Sequence, residues 1–379
     1  MTDALINRSD YPSLDDYVYL NQASLGLIGQ PAVQSMHDFL DRIARHGNLK
    51  MTDNDEVEFF ESLRQRGARL LNCDSDQLAI LASASELLCQ LPLMIRPKSG
   101  GNIVAVSTDF PAVTRPWIRY AAENDCALRF VNDIATENLT DRLIDSIDGD
   151  TTVVAVSSVQ FSTGSMVDIP RLREASARIN ASLVVDATQA AGILKIDSRE
   201  WEADAVVTSG YKWLGGHGGV ALAAVSANLL EQTSPLPGWM DTANPFDYDA
   251  TQLSFASGAR RFTQSTMSYI SMVGLTTALD HLLPLGESRL EAHARSLSRR
   301  LIEGVYAHGW MPFRALEDPS ASPNIVALMH TELDVEKTIN ALRRNHIICV
   351  ARNGRIRISL APYNNSDDIN ALIEVLANI

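Results

Sequence analysis

The chain has 379 residues, of which 46% are hydrophobic and 21% are charged, and this is the composition of a globular protein rather than of a disordered or fibrous one. Because this length exceeds what one core comfortably holds, we expect two domains, or a large and a small lobe. The formal net charge of -14 opposes binding to phosphate backbones or anionic lipid, so neither nucleic acid nor a membrane is an expected partner.

The N-terminal region is polar and acidic and lacks the positive and apolar segments of a secretion signal. No apolar tract is long enough for a bilayer, so we expect a cytoplasmic protein. The cysteines form no CxxC pair and no cluster with histidine, so neither a disulfide framework nor a metal site is indicated. They are Cys73, Cys89, Cys126 and Cys349.

Short apolar, β-branched runs alternate with helical patterns from residue 55 to about residue 225. This alternation predicts an α/β domain with a mostly parallel sheet that helices cover on both faces. The predicted strands begin near residues 102, 128, 152, 182, 205 and 219. Because ligands bind at the carboxyl ends of such strands, we expect the functional residues there.

The C-terminal third has a different pattern. A turn-rich stretch after residue 230 predicts a long surface loop. A long helix is predicted from about Gly286, because four aliphatic residues then fall on one stripe at helical spacing. These residues are Leu290, Leu297, Leu301 and Val305. Three later apolar runs, near residues 324, 347 and 356, predict the strands of a compact α+β lobe.

The most informative stretch runs from residue 182 to residue 225. One apolar strand ends at Asp186, and the next ends at Ser209, shortly before Lys212. If the two strands are parallel neighbours, both ends lie over one crevice. A lone aspartate or lysine at a strand end is usually a cap or a solvated charge. Here five such positions occur together in order and favour a shared site; they are Asp186, Gln189, Ser209, Tyr211 and Lys212.

This D-x-x-Q and S-x-Y-K-W-L pattern resembles that of the class V aminotransferase family of fold-type I enzymes, which use pyridoxal 5'-phosphate (PLP). Its isopenicillin N epimerase-like, kynureninase-like and carbon-sulfur lyase branches are the most similar in motif. The resemblance implies a mostly parallel central sheet in a large PLP-binding α/β domain, residues 31–270. It also implies a small C-terminal α+β domain, residues 271–379, and an N-terminal segment, residues 1–30, that contributes to the active site and the small domain.

The family chemistry gives each of these residues a role. The amine of Lys212 would carry the cofactor as a Schiff base and later act as the proton-transfer base. Asp186 would keep the pyridine nitrogen protonated, so that the ring can absorb electrons from the substrate. The resemblance further assigns Gln189 to the cofactor phenolate oxygen, and Ser209 and Tyr211 to its phosphate.

Weaker stretches lie in family order around this centre. The run LASASELL resembles a phosphate-binding turn, which implies contacts from Ala84 and Ser85, although an ordinary helix cap has the same pattern. Phe110 in TDFPAVTRPW would stack on the cofactor face, although a core phenylalanine is the competing interpretation. Gln160 in SSVQFSTG is a kynureninase-like feature that we expect to bind the cofactor.

Candidate substrate residues come from both ends of the chain. Arg357 in RIRISLAPYN stands where the family has the arginine that binds the substrate α-carboxylate, a role that suits a planar guanidinium. Asn21, Ala23 and Ser24 match the family's opening strand and turn, although a plain turn explains them almost as well.

One stretch, residues 258–268, resembles the family segment that reaches the cofactor phosphate of a neighbouring subunit. Ser265 and Thr266 occupy the relevant positions in it, and Trp239 is a further candidate at the substrate side. The resemblance therefore implies a homodimer with shared active sites.

The departures from the family pattern narrow the function. Cysteine desulfurases need a mobile thiolate shortly before the carboxylate-binding arginine, whereas Cys349 lies in an apolar strand-like run and is expected to be buried and inert. We therefore expect carbon-sulfur β-elimination of an S-substituted cysteine, with a place in natural-product biosynthesis. The alternatives are an aminotransferase or a decarboxylation-coupled deaminase, and a non-catalytic PLP-fold binding protein. The role of His217 in GGHGG and the substrate side chain stay open.

Overall fold

The structure, a computed structural model, describes residues 2–47, 49–50, 52–231 and 236–379. Within these residues the strands are β1 Val18–Tyr19, β2 Leu78–Leu81, β3 Asn102–Val106, β4 Ala127–Val131, β5 Thr151–Ser157, β6 Ser182–Asp186, β7 Ala205–Ser209, β8 Ala221–Val225, β9 Met311–Pro312, β10 Ile325–Met329, β11 Ile347–Ile348, β12 Val350–Arg352 and β13 Arg355–Ser359. The α-helices are α1 Ser13–Asp16, α2 Gln30–His46, α3 Asp53–Leu71, α4 Ala84–Ile95, α5 Pro111–Glu123, α6 Leu139–Asp145, α7 Ile169–Ala177, α8 Ser198–Trp201, α9 Ala227–Leu230, α10 Tyr269–Leu282, α11 Glu287–Tyr306, α12 Val335–Arg344 and α13 Ser366–Ala377.

A seven-stranded sheet forms the centre of the molecule, in the order β2-β8-β7-β6-β5-β3-β4. The strands from β7 to β4 in this order are parallel, whereas β8 pairs antiparallel with both of its neighbours. The predicted mostly parallel sheet is therefore confirmed. Strand β2 at one edge was not predicted from the sequence.

Helices cover both faces of this sheet. Because neighbouring side chains on a strand point to opposite faces, Val154 and Val156 of β5 pack in one apolar cluster with residues of α3 and α10. Val153 and Ala155 pack in a second cluster with residues of α4 and α5. Burial on both faces explains why these strands consist of continuous apolar runs.

A smaller antiparallel sheet, in the order β12-β13-β10-β9, follows in the C-terminal part. The predicted long helix is α11, and its four aliphatic stripe residues are all buried. The run IICVA does not form one strand as expected, because it divides at Cys349: β11 pairs with β1, and β12 pairs with β13. The predicted boundaries at residues 30 and 270 stay a prediction.

The N-terminal segment connects the small sheet to the central one. Strand β1 lies parallel to β11, and the backbone N–H of Ser359 donates to the carbonyl of Leu20 at 2.9 Å. The chain then continues through residues 21–29 towards the ends of β6 and β7. Of the predicted surface loop after residue 230, residues 232–235 lie outside the described residues. None of the described helices has the length and apolar character needed to cross a bilayer.

Candidate active site

The carboxyl ends of β6 and β7 lie side by side, as the motif spacing predicted. Asp186, the last residue of β6, is in register with Val207 of β7. Just beyond, the backbone N–H of Ser209 donates to the hydroxyl of Thr188 at 3.1 Å. This link holds the two strand ends together and directs the following turn, which carries Lys212, over the same crevice.

The crevice is a cavity of about 100 Å³. It brings together eight residues that the sequence predicted for the cofactor: Ala84, Ser85, Phe110, Asp186, Gln189, Ser209, Tyr211 and Lys212. Five further lining residues were not predicted: Ser83, Ala112, Ser157, Phe161 and Thr188. Segments that are far apart along the chain therefore converge on one small volume.

Lys212 is buried in this cavity, with 5% of its surface exposed. Its Nζ makes no hydrogen bond or ion pair with any residue that the structure describes, and it lies 5.1 Å from the centroid of the Phe110 ring. Burial lowers the pKa of Lys212 to about 8, while the charge of Asp186 opposes this shift. A larger fraction of this amine is therefore neutral and nucleophilic near neutral pH than for an exposed lysine.

Asp186 supplies the opposite charge. Its Oδ1 accepts a hydrogen bond from the backbone N–H of Thr188 at 2.8 Å. Burial raises the pKa of Asp186, while Thr188 and the charge of Lys212 counteract this effect. A buried carboxylate with so few donors is stabilised by a cationic partner, and a protonated ring nitrogen in the cavity would be one.

The N-terminal segment holds the backbone that carries the lysine. The side-chain amide of Gln22 donates to the carbonyl of Lys212 at 2.8 Å, and the N–H of Gly26 donates to the carbonyl of Tyr211 at 3.0 Å. Tyr363 in turn donates its hydroxyl to Gln22 at 2.8 Å. A Cβ atom at Gly26 would lie 2.3 Å from the Lys212 carbonyl oxygen, so this close approach requires glycine.

Arg357 on β13 adjoins the cavity. Its Nη1 donates to the carbonyl of Phe161 at 2.9 Å, and its Nη2 lies 2.5 Å from Ser24 Oγ and 3.3 Å from Asn21 Oδ1. Its Nε is buried without a hydrogen-bond partner. Burial, followed by the charge of Arg352, lowers the pKa of Arg357 to about 9. The side chain is thus an almost fully buried cation that has no anionic partner among the residues that the structure describes.

Asn21 and Ser24 therefore lie beside Arg357. Ala23 has a different environment, because its side chain is buried and its carbonyl accepts a hydrogen bond from Gln189 Nε2 at 3.1 Å. The other end of the Gln189 amide accepts a hydrogen bond from the Trp213 indole at 2.8 Å. Direct substrate contact by these three N-terminal residues stays a prediction.

Gln160 is not among the residues that line the cavity, and its predicted contact with the cofactor stays a prediction. It is fully buried, and its Nε2 donates to Asp109 Oδ2 at 3.0 Å. Asp109 is a buried carboxyl that collects donors, among them the Ser157 hydroxyl at 2.5 Å and the Phe110 N–H at 2.6 Å. Burial raises the pKa of Asp109 to about 6. In this arrangement Gln160 supports the position of Phe110.

Trp239, Ser265 and Thr266 do not reach the cavity of their own chain. Ser265 and Thr266 are exposed, and Trp239 is 38% exposed. All three belong to one surface patch, because the N–H of Trp239 donates to the carbonyl of Gln264 at 3.0 Å. Their predicted role across a dimer interface stays a prediction. His217 is an exposed turn residue whose Nδ1 lies 2.9 Å from the carbonyl of Gly218.

Sequence reasoning missed further residues of this site besides Ser83, Ala112 and Ser157. Thr188 lies inside the D-x-x-Q motif, and its position two residues after the strand end could have indicated it. Phe161 was noticed only as a departure from the family pattern, although it lines the cavity with its ring against Phe110. Gln22 and Arg352 act on residues far away along the chain, so no local pattern indicates them.

Comparison with known proteins agrees with this geometry. The family model described as "Aminotransferase class-V" matches residues 18–372. A protein described as "Uncharacterized aminotransferase YcbU", from Bacillus subtilis, is 26% identical over 372 residues, covering 98% of this chain and 96% of the relative.

Among solved structures, the apo cysteine desulfurase of Thermococcus onnurineus has a TM-score of 0.88 at 19% identity, covering 98% of this chain and 96% of that one. The cystine C-S lyase C-DES, solved with its product cysteine persulfide, has a TM-score of 0.86 at 20% identity, covering 97% and 99%. At these identities the structural likeness shows the fold, and the family match over most of the chain shows the membership. The chain belongs to the class-V aminotransferase family of PLP-dependent enzymes.

Proposed function

We propose that this chain binds PLP between β6 and β7 and uses it for carbon-sulfur β-elimination from an S-substituted L-cysteine. The observation that carries the proposal is the buried amine of Lys212, which has no hydrogen-bond or ion-pair partner among the described residues and lies in one cavity with the buried carboxyl of Asp186. Burying both groups costs free energy in the empty fold, so the arrangement is typical of a site built for a ligand.

The residues of the cavity fit PLP. The neutral amine of Lys212 suits the aldehyde, Asp186 suits the protonated ring nitrogen, and the ring of Phe110 offers an apolar face. The phosphate would be held at the start of α4, where Ala84 and Ser85 present first-turn N–H groups that no helical carbonyl satisfies. The hydroxyls of Ser209 and Tyr211 would complete that contact.

Asp186, Lys212 and Arg357 each have a separate role in the proposed reaction. When bound, PLP supplies an electron sink for the electrons left at the substrate Cα. Asp186 keeps the positive charge on the ring nitrogen, and Nζ of Lys212 accepts the Cα proton. Arg357 binds the α-carboxylate and fixes the orientation of the substrate.

In the overall reaction the bond between Cβ and sulfur breaks, and its electron pair leaves with the sulfur. The substrate and one water molecule thereby give a thiol, pyruvate and ammonium. No oxidant or reductant is required, because the electrons gained by the leaving sulfur come from the substrate.

Cysteine desulfuration is a less suitable reaction for this site. Cys349 is the cysteine nearest to Arg357 in the sequence, and it is 6% exposed within the small C-terminal part of the fold. Burial raises its pKa to about 12, so the thiolate that would accept sulfur does not form at neutral pH. C-DES, described as a cystine C-S lyase, indicates that the shared fold accommodates elimination.

The test is a product assay on the PLP-loaded protein with a series of S-substituted L-cysteines. We expect pyruvate, ammonium and thiol in equal amounts, and no pyruvate from L-norvaline, which lacks a leaving group at Cβ. Accumulation of the pyridoxamine form of the cofactor would show transamination instead. Release of carbon dioxide with an aldehyde would show decarboxylation, and either result would overturn the proposal.

Replacing Arg357 by lysine should weaken substrate binding without loss of the cofactor. One point charge then replaces a two-bond fork in a nearly dry pocket, and loss of a charged hydrogen bond costs roughly 1.5 to 3 kcal/mol, or about one to two powers of ten in affinity. Parent and variant are titrated with an amino acid and with its decarboxylated amine, following the absorbance of bound PLP. If both proteins bind the two ligands equally well, Arg357 does not bind the carboxylate.

We further propose a homodimer in which Ser265, Thr266 and Trp239 of one chain complete the site of the other. The support is their exposure on one patch together with the exposed Ser83 and Ser85 at the start of α4, which leave the phosphate end of the cavity open. Light scattering should give twice the chain mass, and Thr266→Val should weaken PLP binding. A fully active monomer would contradict the shared site.

A further inference from the structure

A second arginine lies beside the carboxylate-binding Arg357. Arg352 ends β12, and the β12–β13 pairing places it on the same face of the hairpin as Arg357, because Val350 is in register with Arg357 and alternate residues share a face. Its Nη2 lies 3.5 Å from Ser24 Oγ, the atom that Arg357 Nη2 approaches to 2.5 Å. Because both Nη2 atoms lie within 3.5 Å of the same hydroxyl oxygen, the two guanidinium groups are close neighbours.

No carboxylate compensates this pair within the part of the chain that the structure describes. The hydrogen bonds of Arg352 go to the carbonyl of Ala351 at 2.9 Å and to Ser24, and those of Arg357 go to neutral groups only. Burial is the main cause of the lowered pKa values of Arg357 and Lys212, and the charge of Arg352 lowers both further, as expected for cations that repel one another. The folded chain thus concentrates positive charge here, although its net charge is strongly negative.

A single α-carboxylate would neutralise only one of the two guanidiniums. Arg357 can bind that group alone, because its free and buried Nε lies next to an Nη in the planar fork that matches a carboxylate. Arg352 is then left over. It is half-buried, whereas Arg357 is 1% exposed, and the nearby Leu25 is 61% exposed. Arg352 is therefore the more exposed of the two arginines, so a substrate side chain that extends from the α-carboxylate towards solvent would meet it.

We infer that Arg352 is a specificity residue that binds a second acidic group, carried on the substrate side chain, while Arg357 binds the α-carboxylate. The inference rests on the proposed amino-acid substrate and narrows it to an S-substituted cysteine whose substituent bears a carboxylate or a similar anion. Two arginines and two acidic groups then pair one to one, which removes the repulsion between the guanidiniums.

The test compares two ligands of the same shape that differ by one charge. L-2-aminoadipate carries a carboxylate at the end of its side chain, its side-chain amide does not, and neither has a leaving group at Cβ. Their dissociation constants are measured by calorimetry on the PLP-loaded protein, so the readout does not depend on turnover. We expect the acid to bind about tenfold more tightly than the amide.

Arg352→Gln should reduce this ratio to about one, and Arg352→Lys should restore part of it because the charge returns. The matched control is Arg355→Gln, since Arg355 lies on the same hairpin but stacks on Phe313, 4.4 Å from the ring centroid. It should keep the parental ratio. Thermal unfolding of each variant verifies that it is folded.

Equal binding of acid and amide by the parent, or binding of neither, would overturn the inference. So would an equal loss of both ligands in Arg352→Gln, because that result would mean that both arginines bind one α-carboxylate. Failure of the proposed function is distinguishable, since it would appear in the product assay even where the ratio of binding constants is as expected.

Discussion

Lys212→Ala should abolish turnover and remove the covalent attachment of PLP. The amine of Lys212 is buried over the cavity, and its lowered pKa makes it the amine best suited to react with an aldehyde. Among the lysines that the structure describes, Lys212 alone lines this crevice. Lys98 and Lys195 form ion pairs with Asp150 and Asp197, and neither lysine lines the cavity.

The measurement is mass spectrometry after borohydride treatment, together with the visible spectrum of the protein. In the parent, the added mass should lie on the peptide that contains Lys212, and in the variant it should be absent. Lys195→Ala is a suitable control, because it removes an exposed amine and should change neither the attachment nor the activity. A borohydride-fixed cofactor in Lys212→Ala would show that another residue carries PLP.

The sequence predicted those parts of the site that depend on strand ends. Asp186 and Ser209 each end an apolar run, and parallel pairing of β6 with β7 is enough to bring them together. The start of α4 at the cavity was predicted for a similar reason, since a helix that begins near Ser85 must present free N–H groups, although their contact with phosphate stays a prediction. These features follow from local pattern and from the topology that the family resemblance implied.

The remaining contacts depend on where distant segments meet. Gln22 reaches the carbonyl of Lys212, and Arg352 reaches Ser24, across 190 and 328 positions of the chain. No periodicity or motif in the sequence indicates that these distant residues are in contact. Gln160 shows a different difficulty: the motif was recognised, but the side-chain amide donates to a buried neighbour, Asp109, so its contact with the cofactor stays a prediction. Competition between polar partners depends on burial, which the sequence does not give.

The pairing of the strands in the small C-terminal sheet could not be predicted from the sequence either. The run around Cys349 was expected to be one strand, yet its two halves pair with different partners, β1 and β13. That division permits Arg352 to enter the hairpin opposite Arg355, which places it on the face of Arg357. The sequence did not indicate this division, so the proximity of Arg352 to Arg357, on which the substrate inference rests, could be found only in the structure.

Asp186→Ala should lower kcat/KM by several orders of magnitude while the protein stays folded, because it removes the charge that keeps the cofactor ring an effective electron sink. Asp186→Asn is the sharper variant, since its amide oxygen can still accept the hydrogen bond from the Thr188 N–H. It should lose comparable activity. Near-normal rates in both variants would contradict the role of Asp186.

Stability separates this role from a structural one. Burial raises the pKa of Asp186 above its ordinary value of 3.8, so the folded state holds the proton more tightly than the unfolded state. The contribution of this carboxyl to stability therefore falls as the pH rises above 3.8 towards the raised pKa, and its charge does not stabilise the empty fold at neutral pH. The apoprotein of Asp186→Asn should consequently unfold at the same temperature as the parent or higher.

Asp204→Asn is the matched control: this buried aspartate accepts a hydrogen bond from the Leu183 N–H at 2.9 Å, near the opposite end of the same two strands. Its kcat/KM should stay close to that of the parent, and an equal loss of activity in both variants would mean that the effect of Asp186 is structural.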